Sequence, residues 1–187
     1  MQNIVNELLN SESFIHVGNF IKENNSVNLI SFDWIVKGEV LRDKRGRVYF
    51  FVETDNFGNE KIIKIGKSND KGGIKGTINF YTSTLSGSPS ITRFSLHHLI
   101  RKKIEEEKNI SVFVKFVSSV KSVVEGLTTS KEILVPLDVT YFEKQILDDY
   151  KKIFGNHPEW NFKESGKMIP MDLIDKFTKF LQNKRVK

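Results

Sequence analysis

The chain has 187 residues and no cysteine, and its formal net charge is +6. This length suits a single domain with a complete core, and a hydrophobic content of 39% that includes 15 Phe is typical of a folded globular protein. The lack of cysteine excludes disulfides, thiolate catalysis and zinc-thiolate sites. The excess of 29 Lys and Arg over 23 Asp and Glu favours a polyanionic partner such as nucleic acid.

The first residues do not resemble a secretion signal. Residues 1–14 contain acidic and amide side chains where a signal peptide has a basic stretch followed by an apolar run. No uncharged apolar run approaches the ~18 residues that a membrane span requires. We therefore expect a cytoplasmic protein that does not associate with a membrane.

Residues 1–45 are predicted to form a helical N-terminal extension. Its helical spacing is carried by two groups of apolar residues, Ile4, Leu8 and Leu9, and then Phe14, Val17, Phe20 and Ile21. Four cations then crowd into six positions, namely Arg42, Lys44, Arg45 and Arg47. Such runs are usually solvated surface, and contact with the phosphates of a nucleic acid is the alternative.

Three stretches rich in β-branched and aromatic residues predict strands, at 47–53, 60–65 and 110–117. Asn56, Gly58 and Asn59 lie between the first two stretches and indicate a hairpin turn. Helical spacing predicts helices at 92–108, 141–154 and 171–181. We therefore predict an α/β (α+β) fold with a small, mainly antiparallel three-stranded sheet flanked by helices.

Two segments lack a regular pattern. Residues 66–91 are rich in Gly, Ser and Thr, so we predict mostly loop, which in compact domains is often functional. This segment contains Lys67, Lys71 and Lys75, and it either lines a track for phosphates or is a flexible surface loop. Residues 118–139 cannot be assigned.

Arg93 and His97 lie four residues apart on the helix that follows the loop, so both project from one face. A guanidinium can hold the anionic oxygens of a phosphodiester, and an imidazole can move a proton near neutral pH. The alternative is a helix start with ordinary surface cations.

Glu143 lies at the border of the apolar stripe of its helix, because Ile146, Leu147 and Tyr150 follow at helical intervals. A carboxylate at such a border needs a partner, and a divalent cation is one candidate. The alternative is a capping box, in which Thr140 and Glu143 satisfy the first N–H groups of the helix.

The order of these features resembles the GIY-YIG nuclease family. The resemblance is carried by Gly46-Arg-Val-Tyr49, Lys64-Ile-Gly66, Arg93-x-x-x-His97, Glu143-x-x-Ile-Leu and Pro158-Glu-Trp-Asn161. It covers residues 46–162, which we interpret as a nuclease core, with residues 163–187 as a C-terminal helix packed on it.

The chain departs from the family pattern in the first motif, where Arg47 and Val48 precede Tyr49, in the 14 residues between Tyr49 and Lys64, and in two further features. Lys64 stands where the second motif usually has a tyrosine, which resembles the type II restriction endonuclease branch. The 17 residues between Glu143 and Asn161 exceed the usual spacing, so Asn156 is an alternative to Asn161 as the residue that joins the site through hydrogen bonds.

The resemblance implies roles in phosphodiester hydrolysis. Tyr49 takes the proton of the attacking water, and Lys64 lowers the pKa of this phenol. Arg93 binds the scissile phosphate, and His97 supports proton movement or orients Tyr49. Glu143 holds one Mg²⁺ or Mn²⁺ against the leaving oxygen.

The resemblance also implies double-stranded DNA as the substrate and a type II site-specific restriction endonuclease as the function. Such enzymes commonly act as homodimers on palindromic sites, beside a companion DNA methyltransferase. One alternative is a phage or mobile-element endonuclease of looser specificity. Another is a nucleic-acid-binding protein whose catalytic site has decayed.

Overall fold

The computed structural model describes residues 13–23 and 29–185. The strands in these residues are β1 Ile15–Lys22, β2 Ile30–Trp34, β3 Arg47–Thr54, β4 Glu60–Ser68, β5 Asn109–Phe116, β6 Ser119–Glu125 and β7 Ser130–Pro136. The helices are α1 Glu39–Arg42, α2 Gly73–Thr82, α3 Ile91–Glu105, α4 Val139–Phe154, α5 Phe162–Ser165 and α6 Met171–Arg185. None of the helices in the described residues has the length and apolar character needed to cross a membrane.

The main sheet has five antiparallel strands in the order β2-β1-β5-β3-β4, and β6 and β7 form a separate two-stranded sheet. The predicted three-stranded sheet is therefore wrong, although the α+β class broadly fits. The three predicted strands are present as β3, β4 and β5, and β5 lies between β3 and β1. The two additional strands come from the N-terminal segment that we predicted to be helical.

A β-bulge explains why β1 has the spacing of a helix. The register of β1 against β5 shifts between His16 and Gly18, so Val17 is an extra residue in the strand. Val17 and Phe20 consequently join the same core cluster, although a regular strand would place them on opposite faces. Their three-residue interval mimics a helix. The helical prediction for residues 1–12 lies outside the described residues.

Helices cover both faces of the main sheet. Tyr49 and Phe51 of β3 belong to the core cluster that includes α2 and α3, whereas Val48, Phe50 and Val52 pack in the cluster that includes α4. Apart from Thr54, every residue of β3 is buried. This alternation turns Tyr49 toward the layer formed by α2 and α3.

The predicted loop over residues 66–91 is wrong in its middle, where α2 forms. Ile74, Ile78 and Tyr81 follow helical intervals and are all buried. Gly73 allows α2 to pack closely against another segment. Its φ is 71°, and a Cβ at this position would lie 2.4 Å from the Leu41 carbonyl oxygen. Glycine-rich composition concealed this helix.

The remaining helices agree with the sequence patterns. The three helices predicted at 92–108, 141–154 and 171–181 are present as α3, α4 and α6, with shifted ends. Phe94 of α3 packs against Phe177 and Phe180 of α6, each with ring centroids 5.2 Å apart. The unassigned segment 118–139 forms the hairpin of β6 and β7.

Candidate active site

One pocket of about 270 Å³ brings together Tyr49 from β3, Lys64 from β4 and Arg93 from α3. These three residues are far apart in the sequence, and all were predicted as site residues. Lys67 and Tyr81 also line the pocket. With three cationic side chains in its wall, the pocket is suited to an anionic ligand.

The register of β3 and β4 places Tyr49 and Lys64 on the same face of the sheet. Tyr49 pairs with Gly66, and Phe51 pairs with Lys64. A Cβ at Gly66 would lie 2.4 Å from the hydroxyl oxygen and from Cζ of Tyr49. The glycine of the Lys64-Ile-Gly66 motif therefore makes room for the Tyr49 ring.

Tyr49 is a buried phenol whose hydroxyl oxygen lies 2.6 Å from that of Tyr81. Burial raises the pKa of Tyr49 to about 12, the hydrogen bond with Tyr81 lowers it, and the charge of Glu143 raises it. We expected Lys64 to lower this pKa. Burial instead outweighs the hydrogen bond from Tyr81, which stabilises the phenolate.

Lys64 is itself largely removed from solvent. Burial lowers the pKa of its ammonium group, while the negative charges of Glu164 and then Glu143 act in the opposite direction. A lysine of this kind gives up its proton more readily than an exposed one.

Arg93 has a buried Nε with no hydrogen-bond acceptor among the described residues. Its guanidinium carbon lies 5.5 Å from the centre of the Phe80 ring, which also lines the pocket. Buried N–H groups almost always have an acceptor, so an unsatisfied one calls for an explanation. A phosphate oxygen in the pocket is an acceptor of the right charge.

His97 is fully buried and does not line the pocket. Its Nδ1 lies 2.8 Å from the carbonyl oxygen of Tyr81, and a carbonyl can only accept, so Nδ1 carries the proton. His97 thus holds the end of α2 against α3. His97 therefore contacts a pocket residue, Tyr81, although it does not line the pocket itself.

Glu143 lies on α4 and forms an ion pair with Lys67, with Nζ and Oε2 3.2 Å apart. The capping box does not account for Glu143, because Asp138 caps the helix by accepting a hydrogen bond from the Thr140 N–H at 2.6 Å. The charge of Glu143 also acts on the pKa of Tyr49, Tyr81 and Lys64. Glu143 does not line the pocket itself and is joined to it through Lys67, which does.

Glu143 is the carboxylate that we predicted as the metal ligand. Within residues 13–23 and 29–185, no group of three or more His, Asp or Glu residues could hold a metal ion. Mg²⁺ retains several waters and is often bound by one or two carboxylates together with substrate phosphates. Glu143, with 18% of its side chain exposed, fits such a site.

Asn161 joins the site through the backbone of β4. Its Oδ1 accepts from the Ile65 N–H and its Nδ2 donates to the Ile65 carbonyl, both at 2.9 Å. Ile65 lies between Lys64 and Gly66, so these two hydrogen bonds fix the backbone next to Lys64 and next to Gly66. Asn156 is exposed and lines a separate groove. The geometry favours Asn161 over Asn156.

The predicted phosphate-binding residues fall into two groups. Arg47 is fully buried, and it donates to the carbonyl oxygens of Asp43 at 2.7 Å and Asp70 at 2.6 Å, so its role is structural. Arg45 is bound to the Asp43 carboxylate at 2.6 Å. Arg45 is nevertheless exposed, and the other exposed members of the set are Arg42, Lys44, Lys67, Lys71 and Lys75.

Tyr81 is the site residue that the sequence motifs missed. It lies in the segment that we predicted to be loop, and no motif includes it. The available signal was its spacing of three from Ile78 and seven from Ile74, which marks a buried helical face.

No protein-family model and no curated protein sequence matches the chain. Among solved structures, the chain is similar to the restriction endonuclease HPY188I in complex with product DNA, with a TM-score of 0.43 and 19% identity over 84% of each chain. It is also similar to a mutant of bacteriophage T4 EndoII, with a TM-score of 0.48 and 16% identity over 83% of this chain and 97% of that chain. Likenesses at these scores and identities establish no shared activity.

Proposed function

We propose that the protein is a metal-dependent DNA endonuclease of the GIY-YIG type. The observation that carries this proposal is that Arg93, whose buried Nε has no acceptor among the described residues, lines one pocket with Tyr49 and Lys64. A phosphodiester is the ligand that suits all three groups, since it is anionic and is hydrolysed with the help of a base.

Each of the three pocket residues has a separate role in the proposed hydrolysis. Tyr49 as a phenolate takes a proton from water, and the water oxygen then forms a bond to phosphorus. The bond from phosphorus to the 3′ oxygen breaks, and this oxygen leaves with the electron pair and takes a proton from solvent. Arg93 and Lys64 stabilise the negative charge on the phosphoryl oxygens.

Glu143 would hold the divalent cation, which is Mg²⁺ or Mn²⁺ in this proposal. Such an ion supplies positive charge next to the leaving oxygen. Lys67 forms an ion pair with the Glu143 carboxylate. We expect Lys67 to turn from Glu143 toward a DNA phosphate when the cation binds.

Double-stranded DNA is the proposed substrate. The exposed cations Arg42, Lys44, Lys71 and Lys75 lie on two neighbouring segments, because the backbone at Gly73 packs closely against Leu41. These four side chains, with Lys67 at the pocket, would contact phosphates on either side of the scissile one.

The finer proposal is a type II restriction endonuclease that acts as a homodimer beside a companion DNA methyltransferase. Its alternative is a phage or mobile-element endonuclease of looser specificity. Both use the same pocket chemistry, and they differ in the pattern of fragments that they produce.

A nucleic-acid-binding protein with a decayed site is the second candidate function. The observation that favours it is the ion pair between Lys67 and Glu143, the proposed metal ligand. Such a protein would bind DNA in a salt-dependent manner and leave it intact.

The test is incubation of the full chain with unmethylated phage DNA in Mg²⁺, in Mn²⁺ and in a chelator. Discrete fragments support the restriction enzyme, a smear supports the looser endonuclease, and intact DNA that is nevertheless bound supports the decayed site. We expect fragments that require the cation.

Two arginines of α3 provide a matched pair for the same assay. Arg93→Ala should reduce the cleavage rate on the order of 10²–10³-fold, as expected when a donor to a developing oxyanion is removed. Arg101→Ala should cleave at the unmodified rate, because Arg101 pairs with Glu105 on the surface at 2.8 Å. Equal rates in the two variants would contradict the assignment of Arg93.

A further inference from the structure

Tyr81 contacts the proposed base directly. Its hydroxyl oxygen lies 2.6 Å from that of Tyr49, and its side chain is buried. At this distance the two phenols share one short hydrogen bond, in which one of them is the donor.

The surroundings of Tyr81 hold its ring in one place. The ring meets Phe51 edge-on with centroids 5.0 Å apart and Phe20 with centroids 6.3 Å apart. Its backbone carbonyl accepts the hydrogen bond from His97 Nδ1 at 2.8 Å. This bond ties the end of α2 to α3, the helix that carries Arg93.

The two hydroxyls are not equivalent. Burial raises the pKa of both phenols, to about 12 for Tyr49 and well above the usual value for Tyr81. The hydrogen bond between them lowers the pKa of Tyr49 and raises that of Tyr81. These directions favour Tyr81 as the donor in the 2.6 Å hydrogen bond with the Tyr49 oxygen.

We propose that Tyr81 is a positioning residue that donates a hydrogen bond to the Tyr49 oxygen while Tyr49 acts as the base. This inference rests on the proposed function. The O–H bond of Tyr81 stays intact throughout, and the proton removed from water goes to the Tyr49 oxygen. His97 supports the arrangement by holding the backbone of Tyr81.

Tyr81→Phe tests this inference because it removes the hydroxyl and keeps the ring. We expect the single-turnover cleavage rate at saturating DNA in Mg²⁺ to fall about 10- to 100-fold, the effect of losing a hydrogen bond to a charged group. DNA affinity should not change, and the rise of rate with pH should shift to higher pH. Tyr141→Phe, at an exposed phenol on α4, is the matched control and should retain the unmodified rate and pH profile.

A double variant separates this role from a general loss of structure. If Tyr81 acts through Tyr49, then Tyr81→Phe should have no further effect on the residual rate of Tyr49→Phe. An additional loss in the double variant would contradict the proposal. Thermal unfolding of each variant checks that the protein is folded.

The outcomes distinguish this inference from the proposed function. Cleavage by Tyr81→Phe with the unmodified rate and pH profile overturns the role of Tyr81 alone. Weaker DNA binding with an unchanged rate at saturation also overturns it, because Tyr81 would then contact DNA. A folded wild-type protein that does not cleave DNA overturns both.

Discussion

At the scale of single residues, burial sets the protonation of the groups that would perform the chemistry. It raises the pKa of Tyr49 and lowers that of Lys64, so it favours the uncharged form of both. Cleavage that depends on the Tyr49 phenolate should therefore increase with pH. The residue types are visible in the sequence, whereas their burial is not.

His98 is a second residue whose titration is set by its surroundings, here the contact between α3 and α6. Its pKa is lowered to about 4, first by burial and then by the neighbouring His97, Lys176 and Arg101, while the negative charge of Asp172 acts in the opposite direction. The reference pKa of 6.5 applies to the unfolded chain, which therefore binds more protons than the folded protein between pH 4 and 6.5. Stability is thus fully present above pH 6.5 and decreases as the pH falls toward 4.

We predict that the free energy of unfolding decreases by about 1 kcal/mol between pH 7 and pH 5 because of His98, after allowance for solvent screening of the half-exposed ring. His98→Gln should remove this part of the pH dependence. Urea unfolding of both proteins at the two pH values measures it. The same decrease in both proteins would show that other groups are responsible.

At the scale of elements, the edge strand β4 is held by the segment that follows α4. The Trp160 N–H donates to the Ile63 carbonyl at 2.8 Å, and Asn161 makes two hydrogen bonds with Ile65. These bonds satisfy backbone groups on the open side of β4, which would otherwise lack a strand partner. They also fix the strand that carries Lys64.

Asn161→Ala should destabilise the protein by about 2–4 kcal/mol, because it leaves the buried N–H and carbonyl of Ile65 unsatisfied. Asn161→Asp should have a smaller effect, since a carboxylate still accepts from the N–H. Asn156→Ala is the control, at an exposed position where about 0.5 kcal/mol or less is expected. Chemical denaturation of the three variants tests the order, and equal losses at positions 156 and 161 would contradict it.

The elements could be predicted from sequence where the hydrophobic period was unambiguous. β3, β4 and β5 have runs rich in β-branched and aromatic residues, and α3 and α4 have one clear helical period. β1 failed because a bulge gives its apolar residues the spacing of a helix. α2 failed because glycines at its start suggested a loop, whereas the one at position 73 permits close contact with a neighbouring backbone.

At the scale of the whole molecule, the hairpin of β6 and β7 stands apart from the main sheet. Val123 is 58% exposed and Leu134 is 69% exposed, and the tip residue Leu127 has no cover among the described residues. An isolated two-stranded hairpin is only marginally stable in water. For the proposed homodimer, this hairpin is the surface that we expect the two copies to bury.

We predict that the protein sediments as a dimer and that Val123→Glu with Leu134→Glu shifts it to the monomer. Stability should change little, because the hairpin does not belong to either core cluster. Phe57→Glu, at the exposed turn between β3 and β4, is the control and should remain dimeric. Analytical ultracentrifugation distinguishes these states. A monomeric wild-type protein would contradict the homodimer, and a dimeric double variant would place the interface elsewhere.

The sequence by itself determined which side chains could act on a phosphate and in which order they occur. Arg93 and His97 share a helical face because of their spacing, and Tyr49 and Lys64 fall on neighbouring strands because a turn joins those strands. These relations are local, so the spacing of residues along the sequence is enough to predict them.

Only the tertiary structure decided how these side chains are surrounded. It placed Tyr81 against Tyr49, buried Arg47 on two backbone carbonyls and paired Glu143 with Lys67. It also left Arg93 Nε without an acceptor among the described residues. Burial and partners arise from contacts between segments that are distant in the sequence. The hydrophobic period of one segment does not indicate which other segment packs against it.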